Sequence, residues 1–575
     1  MTTIPTDFAE VTPHTFVDAT WPGILPLYDE LAARPLDAAD APVMDAWLAD
    51  WHAADTALIE ARLLAEVAAA SDTADPAKDA AHRRLSGEIG PRHHQQVVRL
   101  SRKLIEAGYT RPDLEMAVKR FRTDQEIFRE ENIPIEEELH ALNGRFGKLT
   151  GGMTVEWEGR EIPVPQLGPF LLHPDRSVRE RAWRLQFQPY MQHRDEIADI
   201  FDAQLEKRQR LARNAGFANF RDYMFAALHR YDYTPADCET FHASVEQTFM
   251  PASARRHERR KALLGLESLR PWDLAPDPLG RPALMPYAAI DDLNATSESI
   301  FARVDPAFGD YFSTMRREGL LDLDSRPGKR PGGFCNTYPH RQRPFIFMNA
   351  SGTSNDVQIL MHEAGHAFHG FAAAHLPFVH AWDPGEEMDE VASMSMELLT
   401  APYLAEAEGG FYNADEHRRA RIEQLDALLT RFSWIPTVDA FQQWLYTDPA
   451  AADRDARDAK FVELWERFEP GLAWSGLKAE RTARWYRQLH IFLYPFYYIE
   501  YAIAQLGALQ VWRNSLRDEA KAIADYRAAL ALGGTRPLPE LYATAGARLI
   551  FDAEGMAGLV TLIETELADL EGATT

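Results

Sequence analysis

The sequence predicts a mainly α-helical fold with a small amount of β-structure. Long runs rich in Ala, Leu, Arg and Glu make up most of the chain, and such runs are typical of amphipathic helices. Only a few short segments alternate apolar and polar residues in the way that strands do. The chain contains no repeat of solenoid period and no low-complexity tract, so repeat architectures are excluded.

The N-terminal part of the chain is expected to be helical. Residues 45–70 are rich in Ala and Leu and carry two tryptophans, and 123–142 continues the helical pattern. Ala-rich amphipathic runs of this kind usually pack against other helices and do not form sites. The segment 153–164 then alternates around a Glu-Gly pair, which predicts a small hairpin.

Helices return after this hairpin and continue to the C-terminal end. Residues 177–215 predict one or two long helices whose many charges form a solvated face. Five prolines in 270–286 predict an irregular connector. Further helices are expected over 385–404 and over most of the chain from residue 416 onward.

Two short strands are expected after the connector, at 334–338 and 344–349. Gly328, Gly332 and Gly333 lead into the first strand, and glycine lets another backbone approach closely. We expect the strands to form a small antiparallel sheet, which could pair with an extended peptide along its edge. An ordinary hairpin without such a role is about equally compatible with the spacing.

Composition and charge exclude several classes of protein. The chain has 575 residues, enough for a large core, and a net charge of −26 that argues against binding nucleic acid or anionic membranes. Cys238 and Cys335 are the only cysteines, which excludes a disulfide framework and favours a reducing cytoplasm. The N-terminus lacks a signal-peptide pattern, and Glu500 interrupts the most apolar segment, 493–512, so we expect no membrane span.

The pattern His-Glu-Ala-Gly-His at 362–366 is the most informative feature of the chain. On a helix, His362 and His366 lie one turn apart on the same face, so both imidazoles can bind one metal ion. Glu363 can reach a water bound to that ion and act as a general base. This spacing predicts a zinc-dependent hydrolase with one Zn²⁺ ion per chain.

The surrounding residues favour a helix that carries this motif. Ser354 and the two residues after it, Asn355 and Asp356, offer N-cap side chains. A rotation of about 100° per residue places His366 and His369 within about 40° of His362. The apolar residues fall on the opposite side of the helix: Val357, Leu360, Ala364, Ala367 and Phe368.

A catalytic zinc site needs three protein ligands and one open position for water. The metzincin continuation is absent, because His369 stands where that pattern has glycine and Ala372 where it has the third histidine. A closed site with His369 as fourth ligand would be inert, so we expect His369 to support a ligand or to face the substrate. The third ligand is therefore expected from a glutamate on a following helix.

Four glutamates follow the motif: Glu386, Glu387, Glu390 and Glu397. On one helix, all of them except Glu387 share a face within about 40°. We assign Glu390 as the third ligand. Glu397, two turns further along the same face, is expected to accept a hydrogen bond from a ligand histidine and to fix its orientation.

A second group of polar side chains lies far down the chain. His490 precedes a tyrosine-rich segment in which Tyr494, Tyr498 and Tyr501 are spaced as one helical stripe. Pro495 is expected to interrupt or to start this helix. Such donors could stabilise an oxyanion beside a metal ion, although a tyrosine stripe more often packs in a core.

These motifs resemble the thimet-oligopeptidase-like zinc metallopeptidases, and most of all their oligoendopeptidase F and Pz-peptidase branch. The resemblance rests on the metal motif, on Glu390-x-x-Ser393 and on His490…Tyr498-x-x-Tyr501. It also includes local strings at 332–335, 344–347, 352–357, 362–368 and 494–502, with weaker ones at 157–159 and 214–217. It covers most of the chain from about residue 153 onward.

The resemblance implies a two-lobed helical ellipsoid with a deep central channel that admits short unstructured peptides. It implies an N-terminal helical lobe region, 1–150, continuous with a catalytic region, 151–575. It implies that one zinc ion is bound by His362, His366 and Glu390. It implies that the general base is Glu363. It implies that the scissile carbonyl is surrounded by His490, Tyr498 and Tyr501. Further substrate contacts are expected from Gly332, Gly333, Phe334, Tyr494 and Tyr497. Whether Tyr497 or its neighbour Tyr498 faces the zinc stays open.

The predicted activity is endopeptidase cleavage of short oligopeptides. A carboxypeptidase or peptidyl-dipeptidase of the same fold is the alternative, and it would need a cation to hold the terminal carboxylate. Arg484, Arg487 and Lys329 lie near the motif segments, but the sequence does not place them. A non-enzymatic helical binding protein is disfavoured by the intact metal motif. Oligopeptides are the expected partners, without nucleic acid or membrane, in the cytoplasm.

Overall fold

The computed structural model describes residues 4–5 and 7–572, and most of them lie in helices, which confirms the predicted mainly α fold. The α-helices of the described chain are α1 (Pro13–Phe16), α2 (Trp21–Ala33), α3 (Ala41–Ser71), α4 (Pro76–His82), α5 (Gly90–Ala107), α6 (Glu115–Ile127), α7 (Ile133–Gly151), α8 (Arg176–Leu185), α9 (Gln188–Gln192), α10 (Arg194–Asn214), α11 (Phe220–Ala227), α12 (Pro235–Leu263), α13 (Ile290–Val304), α14 (Pro306–Arg317), α15 (Ser354–Ala373), α16 (Glu386–Leu399), α17 (Ala414–Thr447), α18 (Arg454–Phe468), α19 (Lys478–Ala483), α20 (Leu489–Leu493), α21 (Tyr498–Ser515), α22 (Glu519–Ala531), α23 (Leu538–Thr544) and α24 (Ala553–Gly572).

Shorter helical segments connect several of these helices. A π-helical segment, Arg83–Ile89, leads directly into α5. The 3₁₀ segments of the described chain are Phe8–Glu10, Glu130–Asn132, Val164–Leu172, Pro271–Asp273, Val379–Ala381, Ala401–Leu404, Glu406–Glu408, Pro449–Ala452 and Trp485–Arg487.

The strands of the described chain form two small sheets. Strands β1 (Thr154–Trp157) and β2 (Arg160–Pro163) form the predicted antiparallel hairpin. Its turn residues Glu158 and Gly159 have φ of 53° and 77°, and such left-handed pairs match the twist of a two-residue hairpin.

The second sheet has the order β3-β5-β4, with β3 (Leu321–Asp324), β4 (Phe334–Tyr338) and β5 (Arg343–Ala350). Strands β4 and β5 pair antiparallel, as the sequence predicted for this region. Strand β3 was not predicted, and it pairs parallel to β5, so the sheet is mixed. Its four residues alternate apolar and polar side chains, but no hairpin turn next to them marks a partner strand, as one does for β1 and β2.

The described chain forms two compact units, each built from three segments. The first unit comprises Met1–Glu126, Leu284–Ala420 and Ala504–Leu549. The second unit comprises Ile127–Ala283, Arg421–Ile503 and Ile550–Thr575. The organisation expected from the sequence, with a helical region 1–150 and a catalytic region 151–575, stays a prediction.

The N-terminal helices of the first unit pack around a cluster of aromatic rings. Asp40 caps α3 by accepting a hydrogen bond from the Val43 amide at 3.3 Å. Trp51 of α3 is fully buried and lies against Phe121 and Phe378, with ring centroids 5.8 and 5.0 Å apart. Burial of large rings of this kind is the main stabilising contribution of such a core.

Aromatic stacking also holds the second unit together. Phe249 of α12 stacks on Phe432 of α17 with ring centroids 3.8 Å apart. Phe146 of α7 stacks on Phe492 of α20 at 4.0 Å. Segments far apart in the sequence are therefore joined within this unit by a few face-to-face ring contacts.

Two predicted helical regions are more divided than the sequence suggested. The expected helix over 123–142 is split between α6 and α7, because Pro134 at the second position of α7 favours a helix start there. The region 177–215 contains three helices rather than one or two, and Pro189 marks the start of the middle one. The connector over 270–286 is irregular apart from one short 3₁₀ turn, as predicted.

The most apolar segment, 493–512, contains most of helix α21. Glu500 within it is buried and forms an ion pair with Arg230 of the same unit at 2.6 Å. None of the helices that the structure describes is both long and apolar enough to cross a membrane.

Candidate metal centre and aromatic cluster

Helix α15, which carries the His-Glu-x-x-His motif, begins with a well-bonded N-terminus. Its N-cap is Thr353, one residue before the positions expected from the sequence. Asp356 Oδ2 accepts hydrogen bonds from the backbone amides of Ser351 and Thr353, both at 2.8 Å, and from the Tyr287 hydroxyl at 2.7 Å. These bonds satisfy donors that the first helical turn leaves open and fix the start of the helix.

The two faces of α15 differ as the sequence predicted. The apolar set is fully buried: Val357, Leu360, Ala364, Ala367 and Phe368. On the other face, the side chains of His362 and His366 keep 25% and 17% of their exposure. The buried back of the helix therefore holds it in the first unit while both imidazoles remain accessible.

Helix α16 packs unusually close to α15 at Gly365, inside the motif. A Cβ atom at this position would lie 2.5 Å from Ser393 Cα and 2.6 Å from the Ala392 carbonyl oxygen. Real Cβ atoms do not come so close to a backbone, so only glycine permits this approach. The contact brings the acidic face of α16 beside the two histidines.

His362, His366 and Glu390 form a group that can hold a metal ion. The Nε2 atoms of the two histidines lie 3.5 and 4.0 Å from the same oxygen, Glu390 Oε2. One ligand atom from each residue lies within 4.8 Å of the others. Tetrahedral zinc ligands are about 3.3 Å apart, so a small inward movement would complete such a site. No other group of this kind occurs among the residues that the structure describes.

A carboxylate lies next to the other nitrogen of each histidine, within hydrogen-bond geometry for His362 and at ion-pair distance for His366. His362 Nδ1 lies 2.8 Å from Glu397 Oε1, and His366 Nδ1 lies 3.1 Å from Asp389 Oδ2. A carboxylate that accepts the Nδ1 proton leaves Nε2 as the atom with a free lone pair. Both Nε2 lone pairs can then bind the same cation. The position of Glu397 beside a candidate ligand is the one expected from the sequence.

Asp389 was missed by the sequence analysis, which considered only glutamates on this helix. Its other oxygen, Oδ1, lies 2.9 Å from His369 Nδ1, so one carboxylate holds two imidazoles. His369 is buried and lies outside the group of possible metal-binding residues. The signal that could have revealed Asp389 is its place next to Glu390, which puts it on the side of α16 that turns toward α15.

The electrostatic environment of this group favours positive charge. Burial lowers the pKa of His366, but the charges of Asp389, Glu390 and Glu363 outweigh it and raise this pKa to about 10. The pKa of His362 is also raised, since Glu397 outweighs the effect of burial. A site that stabilises a proton in this way is electrostatically suited to a divalent cation.

Glu363 lies beside the candidate metal ligands in an apolar setting. It is buried, and burial raises the pKa of its carboxyl group, opposed by the two histidines. Gly333 packs against it, since a Cβ atom at Gly333 would lie 3.6 Å from Glu363 Oε1 and 3.4 Å from the Phe347 carbonyl oxygen. A methyl group at Gly333 would therefore lie in van der Waals contact with this carboxylate, and glycine leaves that side of Glu363 Oε1 uncovered.

The strand next to Glu363 lies at the edge of its sheet. In the order β3-β5-β4, strand β4 pairs only with β5. Gly332 before it has φ of 104°, a conformation that favours glycine, and its carbonyl accepts a hydrogen bond from Asn349 Nδ2 at 2.9 Å. Phe334 at the start of β4 stacks on Phe347 with ring centroids 4.7 Å apart.

Lys329 is fully engaged inside the first unit. Its ammonium group donates to Asp322 Oδ1 at 2.8 Å and to the carbonyl oxygens of Asp322, Asp324 and Met348 at 2.6–2.9 Å. Its side chain has no exposed surface. Lys329 was one of three cations considered for binding a terminal carboxylate, and these contacts give it a structural role instead.

The second cluster expected from the sequence lies in the second unit. His490 has ring-centroid distances of 4.7 Å to Tyr498, 6.0 Å to Tyr497, 6.1 Å to Tyr494 and 6.2 Å to Tyr501. The four tyrosines thus surround one imidazole. We refer to these five residues as the aromatic cluster.

The predicted helical stripe of three tyrosines is wrong for Tyr494. This residue is the C-cap that follows α20 and is 57% exposed, whereas α21 begins at Tyr498. Pro495 interrupts the helix, as expected, because it lacks a backbone N–H. Tyr498 and Tyr501 remain on the helix, one turn apart, with ring centroids at 5.6 Å.

A strained turn positions Tyr498. Phe496 has φ of 69°, which is unfavourable for a residue with a side chain and costs about 1–3 kcal/mol. Its amide donates to Gln442 Oε1 at 2.8 Å, and its carbonyl accepts from Arg230 Nη2 at 2.5 Å. The same guanidinium nitrogen donates to Glu500 Oε1 at 2.6 Å. These buried bonds hold the turn in its unfavourable conformation.

A chain of hydrogen bonds sets the tautomer of His490. Trp434 Nε1 can only donate, and it lies 3.0 Å from Gln488 Oε1. The amide nitrogen of Gln488 therefore points the other way, 2.8 Å from His490 Nδ1. Since Gln488 Nε2 donates, His490 Nδ1 accepts and the imidazole proton lies on Nε2. Burial lowers the pKa of His490 to about 4, so this histidine is a neutral donor at physiological pH.

Comparison with known proteins adds a family to this geometry. The solved structure of Pz peptidase A with inhibitor 2 has a TM-score of 0.86 at 25% identity, covering 98% of this chain and 99% of that chain. The oligoendopeptidase F homolog of Borreliella burgdorferi is 24% identical over 390 residues, which are 65% of this chain and 62% of the relative. That of Lactococcus lactis subsp. lactis is 23% identical over 408 residues, 69% of this chain and 64% of the relative.

The structural similarity extends over nearly the whole chain and defines the class as a mainly helical peptidase fold. The model of peptidase family M3 matches residues 170–560, more than half of the chain, and the protein belongs to this family. The aligned part spans less than two thirds of the two curated relatives. The family resemblance inferred from the sequence is confirmed.

Proposed function

We propose that the protein is a zinc-dependent endopeptidase that hydrolyses short, unstructured oligopeptides. The observation that carries the proposal is the convergence of His362 Nε2 and His366 Nε2 on Glu390 Oε2. Membership of peptidase family M3 and the similarity to Pz peptidase A support it.

The donor set fits zinc better than other common metals. Two imidazoles and one carboxylate match the ligands of catalytic zinc sites, whereas calcium and magnesium prefer oxygen ligands alone. Glu397 and Asp389 orient the two imidazoles through Nδ1, as outer-shell carboxylates do in such sites. Ser393 Oγ donates to Glu390 Oε2 at 3.0 Å and steadies the third ligand.

Bound zinc would lower the pKa of a water molecule toward about 7 and polarise the peptide carbonyl. Glu363 would take the proton of the attacking water and deliver it to the leaving nitrogen. Burial prepares Glu363 for this role, because a raised pKa brings the carboxyl group closer to the operating pH.

The aromatic cluster is proposed to stabilise the oxyanion of the tetrahedral intermediate. His490 would donate from Nε2, and Tyr498 and Tyr501 would donate from their hydroxyl groups. Neutral donors suit this task, since they need no change in protonation when charge develops. Peptide binding is proposed for Gly332, Gly333 and Phe334 along the β4 edge and for Tyr494 and Tyr497 in the cluster.

Oligopeptides are the proposed partners, and a cytoplasmic location without nucleic-acid or membrane binding stays a prediction. An exopeptidase of the same fold remains the second candidate, and it is favoured only by the two arginines near the aromatic cluster.

Replacing Glu363 with Gln tests the proposed base. The amide keeps the size of the side chain but cannot accept and return a proton, so we expect kcat to fall at least about 1000-fold. Elemental analysis should still find about one zinc per chain, because the three ligands are unchanged. Cleavage of a quenched peptide gives the rate.

A control is Glu318→Gln, at an exposed glutamate of the same unit that pairs with Arg343 at 2.8 Å. This variant should keep its turnover. Normal hydrolysis by Glu363→Gln would exclude the base assignment. Mass spectrometry of a digest of peptides blocked at both ends separates the two cleavage modes, since an exopeptidase would leave them intact.

A further inference from the structure

Two arginines beside the aromatic cluster have no acidic partner among the described residues. One is the N-cap residue of the 3₁₀ segment Trp485–Arg487 that precedes His490, and the other is the last residue of that segment. Some other arginines of the second unit meet carboxylates, as Arg230 does with Glu500 at 2.6 Å and Arg256 with Asp426 at 2.5 Å. The buried Arg208 instead donates to a tyrosine hydroxyl and to backbone carbonyls. The two arginines beside the aromatic cluster are Arg484 and Arg487.

Arg484 is half-buried between aromatic rings. Its Cζ lies 4.4 Å from the ring centre of Trp434 and 5.2 Å from that of Trp465. Its guanidinium group donates no hydrogen bond to, and forms no ion pair with, any residue that the structure describes. A guanidinium has five N–H donors, and ring faces replace only part of the solvation that burial removes.

The charge of Arg484 is poorly compensated. Burial and the nearby charge of Arg487 lower its pKa to about 10, although Glu469 and Tyr498 act in the opposite direction. At neutral pH the group is still protonated. A cation that is partly desolvated and without a bonded anion is attractive to a carboxylate.

Within the part of the chain that the structure describes, Arg487 has only neutral hydrogen-bond partners. Its Nη1 donates to Gln186 Oε1 at 2.7 Å, and the guanidinium lies over the rings of Phe187 and Tyr190 at 4.9 and 5.7 Å. Burial lowers its pKa as well. An anion near both arginines would relieve their mutual repulsion and fill the open donors of Arg484.

The pair is connected directly to the aromatic cluster. Trp434 carries Arg484 on its ring face and donates its N–H to Gln488, which in turn donates to His490. Arg484 also lies within electrostatic range of Tyr498. A group bound by these arginines would therefore lie next to His490 and Tyr498.

We propose that Arg484 and Arg487 form a subsite for a carboxylate of the bound peptide. The inference rests on the proposed function, which places His490 and Tyr498 around the scissile carbonyl. The carboxylate has two sources: the C-terminal α-carboxylate of a short peptide, or the side chain of Asp or Glu near the cleaved bond. In either case the subsite would select among peptides by their charge.

The test uses the full-length, zinc-loaded protein and a matched peptide set. One pair differs only in a C-terminal acid or amide, and a second pair carries Glu or Gln on the C-terminal side of the cleaved bond. Removing the recognised carboxylate should lower kcat/KM about 10- to 100-fold, as expected for a hydrogen bond between charged groups. A loss with the amide identifies the C-terminus, and a loss with Gln identifies a side chain.

Variants connect this preference to the arginines. Arg484→Met and Arg487→Met keep the apolar stem over the rings and should lose the preference while cleaving the neutral peptides normally. Arg484→Lys keeps the charge without the planar fork and should retain part of the preference. Arg467→Met is the matched control, because Arg467 lies over Phe468 but pairs with Glu246 at 2.7 Å.

Binding separates this inference from the proposed function. The same peptides are titrated by calorimetry into the Glu363→Gln protein, with and without Arg484→Met. Equal binding and cleavage of acid, amide, Glu and Gln peptides would overturn the subsite even if hydrolysis is normal. Absence of hydrolysis by the wild-type protein would overturn the proposed function, while binding that depends on a carboxylate and on Arg484 would still support the subsite. Circular dichroism verifies folding, and if Arg484→Met does not fold, Arg484→Lys and Arg487→Met decide.

Discussion

At the scale of single residues, the group that contacts Nδ1 of each histidine determines the role of its Nε2 atom. Glu397 and Asp389 occupy Nδ1 of His362 and His366, which leaves both Nε2 atoms near Glu390. In His490 the order is reversed, because Gln488 donates to Nδ1 and the proton lies on Nε2. A carboxylate partner at Nδ1 thus leaves Nε2 with a lone pair that can bind a metal ion. The amide partner of His490 instead leaves Nε2 protonated, so that it can donate a hydrogen bond to an oxyanion.

Replacing Gln488 with Glu tests this reversal. A carboxylate would accept from His490 Nδ1, favour the other tautomer or the imidazolium, and raise the pKa of His490 above its present value of about 4. We expect kcat to fall about tenfold or more at pH 7.5, with a new ionisation in the pH profile of kcat that wild type lacks. Zinc content should be unchanged.

The control for this variant is Gln96→Glu, at a glutamine whose amide oxygen accepts from Arg99 at 3.2 Å in the first unit. It adds the same charge without contact to a histidine and should leave kcat and its pH profile as in wild type. A Gln488→Glu protein with a wild-type profile would contradict the assigned tautomer.

At the scale of elements, the candidate metal centre depends on how closely α15 and α16 approach. The histidines lie on one helix and the carboxylates on the other, so their distances follow from the contact at Gly365. Tyr526 supports the same contact from α22, because its hydroxyl donates to the Ala392 carbonyl at 2.7 Å. The centre is therefore a property of this helix pair.

Gly365→Ala should force the two helices apart. The added Cβ would meet backbone atoms of Ser393 and Ala392, which cannot rotate away as a side chain can. We expect a loss of about 1–3 kcal/mol in the free energy of unfolding and weaker zinc binding, measured by urea denaturation and by competition with a chelator. Removal of zinc from wild type should also lower its melting temperature.

Gly558→Ala within α24 serves as the control, since a Cβ there meets nothing within 4 Å. This change should be neutral or slightly stabilising, because alanine restricts the unfolded chain more than glycine does. Zinc affinity equal to wild type in Gly365→Ala would show that the close approach is not needed for the centre.

At the scale of the whole molecule, we expect stability in acid to depend on a buried network in the first unit. Asp55 is fully buried and accepts hydrogen bonds from Tyr28 at 2.9 Å and Trp51 at 2.8 Å. It also meets His93 at 2.8 Å and His380 at 2.7 Å. Burial works to raise the pKa of Asp55, but the two histidines dominate and hold it well below its usual value.

As the pH falls, His52, which lies beside this network, is expected to affect stability before Asp55 does. Burial lowers its pKa to about 4, and its Nδ1 accepts from the Val379 amide at 3.0 Å. Below about pH 6.5 the unfolded chain protonates this histidine while the folded protein does not, so stability falls between about pH 6.5 and 4. Asp55 acts at lower pH: its contribution is complete above about pH 3.9 and is lost as the pH falls toward its folded pKa.

Urea unfolding at several pH values separates these effects. His52→Gln keeps an acceptor for Val379 but cannot titrate, so its stability should decline less than that of wild type between pH 6.5 and 4, by up to about 3 kcal/mol. Replacing the exposed His14 with Gln should leave the wild-type slope unchanged. Parallel slopes for wild type and His52→Gln would assign the acid sensitivity to other groups.

Local periodicity explains why much of the candidate centre was predictable. The one-turn spacing of His362 and His366 and the shared face of Glu390 and Glu397 follow from helix geometry, which holds wherever a helix forms. The buried back of α15 and the pairing of β4 with β5 follow from the same kind of local pattern. Each of these predictions compares residues within one element or between adjacent ones.

The sequence by itself determined the helical class, the metal-binding spacing and the family resemblance, because these depend on short-range periodicity and on motifs that are contiguous in the chain. Only the tertiary structure decided that Asp389 contacts two histidines, that Lys329 is buried and bonded inside the first unit, and that Arg484 has no acidic partner among the residues the structure describes. These outcomes depend on which side chains meet across distant segments. That choice is set by close packing and by where each buried charge finds its partner, and neither is periodic along the chain.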